Sequence, residues 1–179
     1  MGQSFKRQSP IGLHEVINMA EHILIVYYSR SGNTQRIANL IHQEVGGAIH
    51  EIRPEVPYPD SYNAVVDQAK QEIQAGYKPA LQSTPDHMES YDTIFVGSPN
   101  WWDTIAPPVA TFLSEYDLSG KTIVPFCTHG GGGLGRIGKD IAKLCPQSTI
   151  LSSFEIYGAG TGNTQAKVSA WLRNIRMTH

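Results

Sequence analysis

Apolar residues in this chain follow two rhythms. Short continuous runs, such as Ile23-Leu24-Ile25-Val26-Tyr27-Tyr28, read as strands that are apolar on both faces. Between them apolar side chains return every three or four positions, as at Ile37, Leu40, Ile41 and Val45, which places them on one face of a helix. Gly46-Gly47 closes that helix, and Ala48 to Ile52 gives a second strand. Arg53 to Asp60 is a proline-punctuated connection, and Tyr62, Val65, Val66, Ala69 and Ile73 mark a second helix that ends near Gly76. Thr93 to Ser98 is a third strand. Pro107-Pro108 then opens a helix whose Val109, Phe112, Leu113 and Tyr116 share a face, because proline is tolerated in the first turn. Asp117 to Lys121 turns into a fourth strand, Thr122 to Cys127, and Ile137, Ile141 and Leu144 lie on a fourth helix. A fifth, uninterrupted strand is expected within Thr149 to Tyr157, and Val168, Trp171, Leu172 and Ile175 carry the last helix.

Strands alternating with helices in this way predict a doubly wound α/β fold, a five-stranded parallel sheet covered on both sides. Right-handed crossovers leave few topologies open. At 179 residues the chain has the size of one domain with a proper core. Its net charge of −2 argues against nucleic acid or acidic membranes as main partners. No apolar run approaches the roughly 18 residues of a spanning helix. Cys127 and Cys145 stand far apart, in no C-x-x-C arrangement, and are expected to be buried small hydrophobes. Residues 1–21 form a leader or extension, and the folded domain is expected over 22–179. Lys6 and Arg7 in that leader precede no sustained apolar core, and Lys6 occupies the position where a myristoylation signal needs Ser or Thr. Met19 is a candidate internal start. The expected location is cytoplasmic.

The candidate chemistry lies in three loops. Ser29-Arg30-Ser31-Gly32-Asn33-Thr34 joins the first strand to the first helix. The first backbone N–H groups of a helix lack intrahelical partners and carry partial positive charge, so they suit a phosphate. Ser29, Ser31 and Thr34 add hydroxyl donors, and Arg30 brings the one formal charge. Mostly neutral donors favour a terminal phosphomonoester over a triphosphate. The competing reading is a simple helix cap. After the third strand, Ser98-Pro99-Asn100-Trp101-Trp102-Asp103-Thr104 offers two flat π faces. After the fourth, Thr128-His129-Gly130-Gly131-Gly132-Gly133 lets backbone N–H groups approach a ligand closely. His129, alone in that loop, is read as a packing or solvated residue.

These loops resemble those of the flavodoxins. Ser29 to Thr34 looks like the family's loop for the phosphate of flavin mononucleotide (FMN), and the likeness runs from about Ile23 to Ile175. It implies strand order 2-1-3-4-5, with FMN at the edge where the loops after strands 1, 3 and 4 meet. The cofactor residues it implies are Ser29, Arg30, Ser31, Gly32, Asn33 and Thr34; Pro99, Asn100, Trp101 and Trp102; and Thr128, His129, Gly130, Gly131 and Gly132. At least one tryptophan is expected to contact the ring. In flavodoxins a peptide unit of the loop after strand 3 reorients when the ring is reduced by one electron, but here Asn100 and Trp101 replace the usual glycine. The chain is also nearly neutral where flavodoxin carriers are strongly acidic, which weakens long-range steering of a basic partner. The implied function is electron carriage between redox partner proteins. The alternatives are an FMN-dependent NAD(P)H:quinone-type reductase acting on a small quinone-like acceptor, and a binding protein that has lost the flavin. No catalytic side chain and no metal ligand set is assigned. Two further motifs carry no function: Gly133-x-Gly135-x-x-Gly138 lies too far from its strand for a dinucleotide turn, and Asp140 stands where a Walker A loop needs Ser or Thr. Gly162-Asn163-Thr164-Gln165, an echo of the first loop, is read as a helix cap.

Overall fold

The computed structural model describes residues 19–179, so most of the leader lies outside the described residues. Among the described residues seven strands are formed: β1 (Ile23–Tyr27), β2 (Ala48–Glu51), β3 (Thr93–Trp101), β4 (Thr104–Ile105), β5 (Thr122–His129), β6 (Thr149–Ile150) and β7 (Phe154–Tyr157). The helices are α1 (Asn33–Val45), α2 (Tyr62–Ala75), α3 (Pro107–Glu115), α4 (Ile137–Leu144) and α5 (Thr164–Asn174). The sheet runs β2-β1-β3-β5-β6, with β7 also on β5 and β4 folded back on β3. Apart from β4 every pairing is parallel, so the main path is the expected 2-1-3-4-5 order.

The alternating pleat sorts the apolar runs onto two faces. Leu24, Val26, Ile94, Val96 and Ile123 pack with α3 and α4, while Ile23, Ile25, Phe95, Val124 and Phe126 pack with α1 and α5. Gly97 has no room for a side chain, because a Cβ there would collide with the Phe126 ring. Gly47, with φ +86, lies against the Ile23 carbonyl and beside Ala20, so the described part of the leader abuts the end of α1. Cys127 and Cys145 are both buried and free, as expected of small hydrophobes.

Two elements depart from the sequence reading. The fifth strand is not continuous: β6 and β7 are separate pieces beside β5, with three residues (151–153) between them opposite two on β5, Val124 and Pro125. The cause is Pro125. The carbonyls of Lys121, Ile123 and His129 all accept bonds from the β6–β7 side, so the alternation points the Pro125 nitrogen to that side too, where it has no hydrogen to donate. Ser152 turns its carbonyl to the Trp171 indole N–H at 2.9 Å. The second departure is at residues 98–104, expected to be a loop. They form a hairpin in which Asn100 pairs with Ile105 and Trp101 with Thr104. Its two-residue turn holds Trp102 (φ 52) and Asp103 (φ 70) in the left-handed region, as the tight hairpin turn requires. Among the described residues no helix is long and apolar enough to cross a membrane.

Candidate functional site

The loops after β1, β3 and β5 converge at the carboxyl ends of the strands. At that edge lies an open cleft of about 590 Å³, lined on one side by Arg30, Ser31, Asn33 and Thr34 and on the others by Pro99, Asn100, Trp101, Trp102, Thr128, His129 and Gly130. Ser29, Gly32, Gly131 and Gly132 do not line it. Ser29 instead closes the first loop, its hydroxyl accepting the Gly32 N–H at 3.1 Å.

The start of α1 is not capped by a side chain. Its N-cap is Gly32, with φ 91, and among the described residues no side chain bonds to the first turn. The simple cap reading of the loop therefore fails, and the N–H groups of the first turn remain directed out of the helix end. Thr34 is buried, and its hydroxyl lies 2.8 Å from that of Thr128. Arg30 is drawn aside: its guanidinium donates to the Asp60 carbonyl at 2.8 Å and holds the connection after β2 against the loop.

The tryptophans are held differently. Trp101 packs edge-on to Tyr28 and Tyr58, with centroid separations of 5.3 and 5.0 Å. Burial holds both phenols in the neutral form well above the ordinary tyrosine range, and Tyr58 donates to Glu72 Oε2 at 2.6 Å. Trp102, at the turn, donates its indole N–H to the Val66 carbonyl at 2.9 Å and takes the Lys70 ammonium over its ring. The third wall is His129, whose Nε2 pairs with Glu155 and whose Nδ1 accepts the Gly131 N–H.

The glycine motifs left without a function explain themselves here. Asn100 Nδ2 donates to the Gly133 carbonyl at 2.8 Å, and the Asp103 carbonyl accepts the Arg136 N–H at 2.7 Å. Gly135 (φ +56) lies so close under Asp103 that any side chain would collide. These glycines seat the hairpin. Asp140 accepts from Thr104 at 2.5 Å on the hairpin's far side. Asn163 is the N-cap of α5, though its side chain makes no capping bond; Thr161 N–H bonds to the Thr164 hydroxyl instead.

Sequence reasoning missed one wall. Tyr62, Val65, Val66 and Ala69 of α2, with Tyr157 at the end of β7 and Gly158 after it, also line the cleft. Only Val65 and Ala69 of α2 are buried, and Tyr62 is 72% exposed. Val65 and Ala69, four positions apart, face the core, and Val66 lies one helical step of about 100° round from Val65, at the border of that stripe, where it can line the cleft.

A family model described as Flavodoxin matches residues 22–175. No curated protein matches the chain at a significant level. Among solved structures, the chain is similar to a Bacteroides eggerthii protein described as a flavoprotein, at 30% identity and a TM-score of 0.76, covering 86% of this chain and 97% of that one. A Bacteroides uniformis protein described in the same way has 27% identity, a TM-score of 0.76 and coverage of 86% and 99%. A Lactobacillus acidophilus flavoprotein in complex with FMN has 22% identity and a TM-score of 0.68 over 83% of this chain and 97% of its own, a likeness of fold.

Proposed function

This chain belongs to the flavodoxin family, and from that premise we propose that it binds FMN in the cleft and carries electrons through it between redox partners. The observation that carries the reading is the convergence of the three loops on one cleft of about 590 Å³, within the range of about 300–1,000 Å³ usual for cofactor sites. The residues fit the group. The uncapped α1 terminus with Ser31 beside it suits a phosphate, the two indoles suit a flat ring, and the glycine backbone after His129 suits polar ring atoms. In this reading the residues that touch the cofactor are the cleft-lining members of the three loops, Arg30, Ser31, Asn33 and Thr34, Pro99 to Trp102 and Thr128 to Gly130, joined by Tyr62 and Val66 of α2, while Ser29, Gly32, Gly131 and Gly132 shape the loops that carry them. Bound FMN supplies one- and two-electron redox chemistry; the chain binds it, orients it and sets its surroundings. A cytoplasmic location belongs to the same proposal.

A second reading, an FMN-dependent reductase of a small quinone-like acceptor, is favoured by two observations. The mouth of the cleft carries exposed aromatic rings, with Tyr62 at 72%, Tyr157 at 68% and Trp102 at 45% exposure, so a flat acceptor has surfaces to stack on. The peptide between Asn100 and Trp101 sits in the β3–β4 ladder, which raises the cost of turning it over as carriers do.

The test starts with a visible spectrum and an FMN titration. We expect 1:1 uptake and clear preference over riboflavin, since charge-assisted hydrogen bonds contribute about 1.5–3 kcal/mol each. Equal affinity for the two flavins would remove the phosphate site. Stepwise anaerobic reduction then separates the two readings: resolved one-electron steps support the carrier, whereas one two-electron step with rapid NAD(P)H:quinone turnover supports the reductase.

A further inference from the structure

His129 ends β5 with its side chain 10% exposed and one edge on the cleft. Both of its ring nitrogens are committed. The Gly131 N–H points at Nδ1 over 3.0 Å, so Nδ1 carries no proton. The neutral ring therefore holds its proton on Nε2, where Glu155 accepts it. A second proton can enter only at Nδ1, where it would meet the Gly131 N–H head-on.

One arrangement relieves that clash. Turning over the Gly130–Gly131 peptide takes the N–H away and offers the Gly130 carbonyl to the new Nδ1–H. The residues there permit it. Gly131 already has φ +122, and a Cβ built on either glycine would meet nothing within 4 Å, so the segment has space on both sides. The hairpin peptide at Asn100–Trp101 has no such freedom, being tied into its ladder.

The groups facing His129 carry both signs of charge. Glu155 on β7 gains an ion pair with an imidazolium, and Tyr157 beside it presents its ring edge-on at 6.1 Å. Lys167 of α5 faces the same outer groove, and Arg30 stands across the cleft as the opposing cations. Cys127, one residue before Thr128, is buried and neutral. We propose that His129 is a positioning residue whose protonation state sets the orientation of the Gly130–Gly131 peptide, with Glu155 holding the charged ring. On the FMN reading, this makes the affinity of the cleft for the cofactor depend on pH through His129.

The experiment is an NMR titration of the ¹⁵N-labelled apoprotein, following the His129 ring nitrogens and the Gly131 amide. Above the midpoint the ring is expected in the Nε2–H form, and the Gly131 amide should shift with the same midpoint as the ring. In Glu155→Gln the Nε2 partner is an uncharged amide, and the Gly131 amide should still shift with the same midpoint as the ring, because Nδ1 and not Nε2 faces it. In His129→Asn the Gly131 amide should stop titrating. His129→Asn should remove at least about a threefold part of the pH change in the FMN Kd, roughly half a decade, while the part due to ionisation of the FMN phosphate stays. An Nδ1–H ring, or a Gly131 amide that ignores the ring's titration, overturns the proposal, as does an FMN pH profile that is the same in wild type and His129→Asn. A chain that binds no FMN at any pH strikes the cofactor reading alone, and the apoprotein titration still decides this one.

Discussion

The hydroxyls of Thr34 and Thr128 lie 2.8 Å apart, both residues are buried, and the bond joins the start of α1 to the end of β5 across 94 positions. Two walls of the cleft are thus fixed to each other before any ligand enters. Thr34→Val or Thr128→Val alone strands a buried hydroxyl and should lower apoprotein stability by about 1–3 kcal/mol. The double substitution removes both partners and should cost clearly less than the sum. Urea unfolding of the three variants measures this, and simple additivity would show that the contact does not couple the walls.

Ser31 is the contrasting case. It is exposed, at the edge of the cleft, and caps nothing. Ser31→Ala should leave the apoprotein's urea midpoint unmoved and weaken FMN binding by roughly tenfold or more, the worth of one charge-assisted hydrogen bond. Riboflavin affinity should not change. A loss shared equally by both flavins would place Ser31 away from the phosphate.

The adjacent tryptophans should separate stability from binding. Trp101 is wedged between Tyr28 and Tyr58, whereas Trp102 is 45% exposed and held by one hydrogen bond to Val66. Trp101→Ala should cost about 3 kcal/mol as a packing loss, and Trp102→Ala about 1 kcal/mol as a lost hydrogen bond. Trp102→Ala should nevertheless weaken FMN binding. Thermal melts of the apoproteins beside FMN titrations check both, and equal melting losses would contradict the packing difference.

Stability should fall at alkaline pH. Burial pushes the Cys127 thiol up to about 12, and it holds the Tyr28 and Tyr58 phenols neutral as well. A folded-state value raised above the unfolded one gives stability that is complete below the unfolded value, about 8.5 for a thiol, and is lost as pH rises toward the folded value. Urea midpoints should therefore decline between about pH 8.5 and 12, and Cys127→Ala should make the early part of that decline shallower. A profile identical in wild type and Cys127→Ala would show that the thiol contributes nothing.

Local chemistry alone settled much of this protein. The apolar runs fixed which segments become strands, because a run apolar on both faces has to be covered on both sides, and the three- and four-residue spacings fixed the helices. Arg30, Ser31, Asn33 and Thr34, and Gly130 after His129, marked two of the cleft's walls, although Gly131 and Gly132 next to them do not reach it. Tertiary structure decided the rest, through groups distant in sequence. Nothing near Thr34 tells that its hydroxyl belongs to Thr128, nor that Trp102 would be held by the Val66 carbonyl and so bring α2 in as a wall. Pro125 looked harmless inside an apolar run until its missing N–H faced the sheet edge and split the last strand. His129 read as an ordinary loop residue until Glu155, from the neighbouring strand, took one of its nitrogens and left Gly131 the other. A residue type carries its own conformational preference, but its hydrogen-bond partner is set by the register of strands that only folding brings side by side.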